Sequence, residues 1–388
     1  MSAAALLRSR PTVPVDRTPT DRIPADRPEP GGTAVAVQRR RGRGAGINPS
    51  GRFEPHAREA VDDGWEGLAA LPVFKTEVRE ERARSLITRN TSPDVGFDRS
   101  ANPYRGCEHG CVYCFARPDH AFVGLSPGVD FETRLFAKAN AVEALERDLS
   151  APGYQPKTIA IGTATDPYQP IERERKLTRG VLEVLARTGH PAVIVTKSAL
   201  VLRDLDILAP MAARGLVKVA VSVTTLDRRL ARSMEPRAAT PAKRLEAIAG
   251  LSAAGVPTAV LMAPVIPALN DAEVERVLEA AAAAGATEAG YVVLRLPLEV
   301  ADIFKDWLAR DQPDRYRHVM SILRAMRGGK DYDAAFGKRM TGTGPYAWTL
   351  GRRFELATKR LGLNRYRHRL NTDLFVAPVP VGGQLSLF

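Results

Sequence analysis

From about residue 95 the chain alternates short β-branched runs with longer amphipathic stretches, the pattern of repeated βα units around a parallel sheet. Six runs read as strands: Gly96 to Ser100, Thr158 to Thr163, Ala192 to Thr196, Val217 to Val223, Thr258 to Met262 and Gly290 to Leu294. Between them, Ala139 to Leu149, Leu177 to Thr188, Pro241 to Ala254 and Asp271 to Ala284 read as helices. Asn270, followed by Asp271 and Glu273, predicts an N-cap with acids in the first turn, where they complement the helix dipole. Six such units predict an α/β fold, a partial (β/α)6 TIM-like barrel over residues 95–312.

The flanks read differently. Pro11, Pro14, Pro19, Pro24, Pro28 and Pro30 punctuate a stretch poor in large apolar side chains, so residues 1–40 are expected to be a disordered tail. Residues 41–94 form an N-terminal extension, 313–376 a basic and mainly helical C-terminal region, and 377–388 a flexible tail. No uninterrupted apolar run of about 18 residues occurs, so no membrane span is expected.

In such barrels functional side chains gather at the C-terminal ends of the strands. The second run ends in Thr163-Ala164-Thr165-Asp166-Pro167-Tyr168, the third in Thr196-Lys197, the fourth in Ser222-Val223-Thr224 and the fifth leads to Ala263-Pro264. Hydroxyls, a carboxylate and an ammonium suit a ribose diol and an amino-acid zwitterion. Singly, each is also an ordinary strand-end cap or turn; their shared face is what favours a site.

The chain has three cysteines, in the spacing Cys107-x3-Cys111-x2-Cys114. Three thiolates on one tight loop can hold three irons of a 4Fe-4S cluster and leave the fourth open. A tetrahedral zinc site completed by His109 or His120 is the structural alternative, although zinc ligands more often come as two separated pairs. A disulfide framework is opposed by the odd count. A cluster with no spare thiols fits a reducing cytoplasm, the expected location.

With Tyr113 directly before the last cysteine, the loop resembles the signature of the radical S-adenosylmethionine (SAM) superfamily. The resemblance implies a 4Fe-4S cluster on Cys107, Cys111 and Cys114, with SAM on the open iron. It also implies reductive cleavage to a 5'-deoxyadenosyl radical, and an electron donor such as flavodoxin or ferredoxin. Within the superfamily, residues 95 to 300 resemble the spore photoproduct lyase-like branch. The likeness is carried by Asn102-Pro103-Tyr104-Arg105-Gly106-Cys107, Thr165-Asp166, Thr196-Lys197, Ser222-Val223-Thr224, Glu235, Thr240, Arg244-Leu245 and Ala263-Pro264. It implies that Tyr113 borders the adenine and that Asp166, Lys197 and Ser222 contact SAM. The stretch from Arg41 and the segment Leu294 to Glu299 resemble an uncharacterised bacterial group within that branch. One position departs: where the lyase is expected to carry a hydrogen-donating cysteine, this chain has Ala164. Hydrogen return then needs a tyrosine such as Tyr168 or Tyr291, or the reaction is different.

Charge extends the picture beyond the barrel. The chain is net +12; residues 1–52 are net +6, residues 313–371 are net +10, and the remainder is about net −4. Cations beside aromatics, as in Arg352-Arg353-Phe354 and Arg365-Tyr366-Arg367-His368-Arg369, suit phosphate neutralisation with base stacking. The alternative is solvated helix faces. The end, Gln384-Leu385-Ser386-Leu387-Phe388, resembles the motif by which bacterial replication and repair proteins bind the DNA polymerase sliding clamp, with Gln384, Leu385, Leu387 and Phe388 as anchors. Folding back on its own domain is the other reading. The expectation is a radical SAM enzyme acting on DNA, at a lesion or modified base. RNA modification and a non-catalytic iron-sulfur protein that binds DNA or the clamp are the alternatives.

Overall fold

The computed structural model describes residues 40–55 and 73–378. The expected disordered tail and the Gln384 to Phe388 motif therefore lie outside the described residues. Among the described residues ten strands occur in chain order: β1 (Glu77–Glu81), β2 (Ile87–Arg89), β3 (Arg99–Ala101), β4 (Tyr104–Arg105), β5 (Arg134–Lys138), β6 (Ile159–Ile161), β7 (Ala192–Thr196), β8 (Val217–Ser222), β9 (Thr258–Val265) and β10 (Glu288–Val293).

The main sheet runs β10-β9-β8-β7-β6-β3-β2. Its first six strands are parallel, and only β2 is antiparallel, on β3. These are the six expected strands, and they form the partial TIM-like barrel. Both faces are covered, as parallel sheets require: Ile159, Ile161, Ile194, Val219 and Val221 are fully buried, with Leu145, Leu149, Leu182 and Leu185 from the covering helices. The edge strand β2 and the separate three-stranded sheet β1-β5-β4 were not foreseen. Glu77-Val-Arg-Glu-Glu carries four charges in five residues. It is extended because it pairs with β5, not because it alternates.

Two local readings are corrected. The helix after β9 begins as a 3-10 turn, Asp271–Glu273, before Val274–Ala283. Asn270 does not cap it with its side chain. Instead its Oδ1 accepts from Ile266 N and its Nδ2 donates to the carbonyls of Thr224 and Pro264, so it joins the loops after β8 and β9. The C-terminal region holds the helices Tyr316–Ala325 and Gly344–Arg360, with loops over much of the rest, and so is less helical than expected.

The chain's return path matters for the site. The cysteine loop lies with the C-terminal ends of the strands. By contrast, Asn371 N donates to Gly215 O and Val376 N to Thr188 O, so residues 371–378 cross the opposite end of the sheet, before β7 and β8. Asn364 is fastened to Thr287 and Ala289 at the start of β10. The exposed run Arg365 to Arg369 therefore emerges on that opposite end too.

Candidate active site

The loop that carries the cysteines leaves β4 at Gly106, whose φ is +75°. A Cβ there would lie 2.9 Å from Phe131 O and 2.7 Å from Leu135, so only glycine fits. Cys107 N then donates to Phe131 O, Gly110 N to Cys107 O and Cys114 N to Cys111 O, which wraps the three thiols onto successive turns. Gln169 stitches the loop to the segment after β6, accepting from Glu108 N and donating to Gly106 O. Val112 N donates to Met234 O, at the end of the helix after β8.

Beneath the loop sits a buried ion pair. Arg117 donates to Cys111 O, Pro127 O and Gly128 O, and its Nη2 lies 2.5 Å from Glu132. Glu132 also accepts from the backbone N–H groups of Gly44 and Ala45. Residues 43–45 thus form a strap against the loop: a Cβ on Gly44 would lie 2.0 Å from Gly110 O. Arg43, the last cation of the run Arg39-Arg40-Arg41-Gly42-Arg43, is buried and donates to Glu132 O, Phe74 O and Thr76. Part of that run is therefore built into the site's foundation.

Cys107 and Cys111 are buried, Cys114 is partly so, and none is in a disulfide. Burial pushes all three thiols up; against it, Lys197 draws Cys111 and Cys114 down and the Asp166 backbone N–H draws Cys107 down. Thiols of this kind become thiolate ligands when a metal displaces the proton. Among the described residues no three His, Cys, Asp or Glu side chains are arranged to hold a metal ion. Donors that each serve a different iron need not converge on one point, so the all-sulfur set fits a polynuclear cluster.

The implied SAM contacts fall around the same loop. Tyr113 donates to Glu235, and its hydroxyl lies 3.4 Å from Thr224 Oγ1. Glu235 also accepts from Thr224 and pairs with Arg244. Arg244 Nη1 donates to Ser222 O, while Ser222 Oγ donates to Ala263 O. The Lys197 ammonium stands 5.7 Å from the centre of the Tyr113 ring. Asp166 is spent on structure: it accepts from Thr196 Oγ1, Lys197 N and Tyr168 N and faces His109 at 3.3 Å. Burial would raise its pKa, but His109 and these donors outweigh it and hold it at about 2.

The two tyrosines have their own neighbours. Tyr168 is fully buried, with Asp204 and Glu172 near its hydroxyl and the Arg203 guanidinium 5.9 Å from its ring. Tyr291 packs 4.7 Å from Phe354 on the helix Gly344–Arg360. Ala164 does adjoin the thiols, packed on the cluster formed by Cys107, Ala116 and Phe131. Sequence reasoning missed Glu132, His109 as the partner of Asp166, and the strap at Gly44. Glu132 sits between Phe131 and Thr133 on a helix of four residues, too short for a periodicity to mark it.

Comparison with known proteins agrees with the geometry. A family model described as the radical SAM superfamily matches residues 101–281. An uncharacterised protein of Mycobacterium tuberculosis is 40% identical over 228 residues, 58% of this chain and 67% of that protein. Another, from Methanocaldococcus jannaschii, is 25% identical over 248 residues, 63% of this chain and 87% of that one. Among solved structures, spore photoproduct lyase complexed with dinucleoside spore photoproduct superposes with a TM-score of 0.53 at 14% identity, over 74% of this chain and 80% of that one. That likeness is one of fold.

Proposed function

The chain belongs to the radical SAM superfamily, and on that premise we propose that this radical SAM enzyme acts on DNA, at a lesion or modified base. The observation that carries the enzyme reading is the Lys197 ammonium facing the ring of Tyr113 on the three-cysteine loop, with Tyr113 linked through Glu235 and Arg244 to the Ser222 carbonyl at the C-terminal ends of the strands. The DNA reading is supported by a fold shared with a lyase solved with a dinucleoside photoproduct and by the basic balance of the chain. Cys107, Cys111 and Cys114 would hold the family's 4Fe-4S cluster, which with SAM and a reductant such as flavodoxin or ferredoxin would supply reductive sulfonium cleavage.

The protein's own part is to hold and orient. Lys197 offers an ammonium to a carboxylate ligand, and Tyr113 offers a ring face whose tilt is set by Glu235 and Arg244. Asp166 acts as a positioning residue, because its acceptor sites are already taken by the loops after β6 and β7 and by His109. With Ala164 in place of a thiol, hydrogen return falls to a tyrosine such as Tyr168, in the segment after β6, or Tyr291 on β10, or the reaction is different.

Anaerobic reconstitution with iron, sulfide, dithionite and SAM tests the reading. Release of 5'-deoxyadenosine is expected, with deuterium carried into it from deuterated DNA. Label arriving only from deuterated RNA would replace DNA by RNA as substrate, and no deoxyadenosine from cluster-loaded protein would sink the enzyme reading.

A further inference from the structure

A groove of about 440 Å³ opens between the short helix Arg228–Met234 and the start of the helix Pro241–Ala253. It belongs to the connection after β8, on the same end of the sheet as the cysteine loop, and it adjoins that loop. Met234 O accepts from Val112 N, and Arg237 N donates to His109 O.

Arg228, Arg229 and Arg232 line this groove together with Ser233 and Thr240. All three arginines are exposed, and among the described residues none of their guanidinium groups has an ion-pair partner. The acids nearby are already engaged. Asp227 caps its helix, accepting from Arg229 N and Leu230 N, and Glu235 is taken by Tyr113, Thr224 and Arg244. Charge here runs against its surroundings, since the chain outside residues 1–52 and 313–371 is net acidic.

The other cationic candidates are less well placed. Arg324, Arg339, Arg352, Arg353 and Arg360 are held in ion pairs, and the run from Arg365 to Arg369 emerges at the far end of the sheet. A substrate that reaches the cysteine loop does not meet that run there.

We propose that the Arg228–Arg229–Arg232 groove binds the phosphodiester backbone of DNA and sets the strand's position at the loop. Unpaired guanidiniums around a cavity of nucleotide size present the donor forks that phosphate oxygens accept. The inference deepens the DNA reading above and rests on it.

The test is the salt dependence of binding a fluorescein-labelled 20-base-pair duplex, followed by anisotropy with the cluster-loaded protein. Each phosphate contact contributes about 0.9 to the slope of log affinity against log salt. The triple variant Arg228→Ala, Arg229→Ala, Arg232→Ala is expected to lose about two to three from that slope. Iron content and melting temperature should stay those of the wild type. The corresponding triple Lys variant should restore the slope, which a purely structural role would not predict. A wild-type slope in the Ala triple overturns the groove while leaving DNA binding intact, and so does a loss that appears only when Arg365, Arg367 and Arg369 are replaced. A wild type that ignores the duplex fails the DNA reading itself, and the groove with it. Equal competition by poly-glutamate, or tighter binding of RNA of the same sequence, would also overturn the assignment.

Discussion

Arg117 and Glu132 form an ion pair at 2.5 Å in which neither side chain reaches solvent. The pair holds two parts of the chain at once, because Arg117 binds the Cys111 carbonyl and Glu132 binds the strap at Gly44 and Ala45. Removing one partner of a buried pair leaves a charge uncompensated, which costs about 3–5 kcal/mol. Glu132→Gln is therefore expected to lower stability by that order and to reduce iron loading, read by denaturation and by cluster absorbance. A double variant with Arg117→Met should be less damaging than the sum of the two singles. Additive losses would show that the two residues act separately.

How much of this was legible in advance depended on whether a residue's role is local. The six parallel strands were readable because β-branched runs buried on both faces need no distant information, and β7 falls on the expected Ala192 to Thr196. The cysteine spacing is likewise a property of one loop. Glu132 and Gly44 were not legible: they are 88 positions apart, and only the tertiary fold makes one the other's acceptor. Asn270 failed for a related reason, since a residue with cap chemistry found better partners across two loops than on its own helix. Tyr291 lies on a strand, but its facing depended on which side the helix Gly344–Arg360 covers.

His190 gives the fold a pH dependence. Its ring nitrogen lies 2.8 Å from the Tyr154 hydroxyl and the ring meets Phe375 edge-on, and burial depresses its pKa from 6.5 to about 4. His120, buried beside Phe131, is held at about 4 for the same reason. Between these values the unfolded chain binds more protons than the folded one, so stability rises with pH across that window. Acidification from pH 6.5 towards 4 should therefore cost on the order of 3 kcal/mol per histidine. Urea unfolding at several pH values measures it. His190→Gln should flatten the profile, and an unchanged profile would contradict the assignment.

Lys197 should separate SAM binding from cluster binding. Its ammonium is over the Tyr113 ring, while its backbone N–H is what Asp166 uses to order the loop. Lys197→Met keeps the backbone bond and removes the charge. We expect cluster absorbance to persist and SAM affinity to fall about tenfold, the equivalent of ~1.4 kcal/mol. Equilibrium dialysis with radiolabelled SAM checks this, and unchanged affinity would exclude an ion pair between Lys197 and SAM.

The C-terminal segment predicts a division between anchoring and partner binding. Phe375 packs against Tyr154 and His190, and Ser150 Oγ donates to Pro378 O, so residues 371–378 belong to the folded body. Phe375→Ala should cost about 1–2 kcal/mol, since the ring is only half-buried. Gln384 to Phe388 follow the Gly382-Gly383 pair and lie outside the described residues. Deleting those five residues is expected to leave melting temperature and iron content unchanged and to abolish capture by an immobilised sliding clamp. A clamp interaction that survives the deletion would refute the tether, and a fall in melting temperature would instead mark the motif as part of the fold.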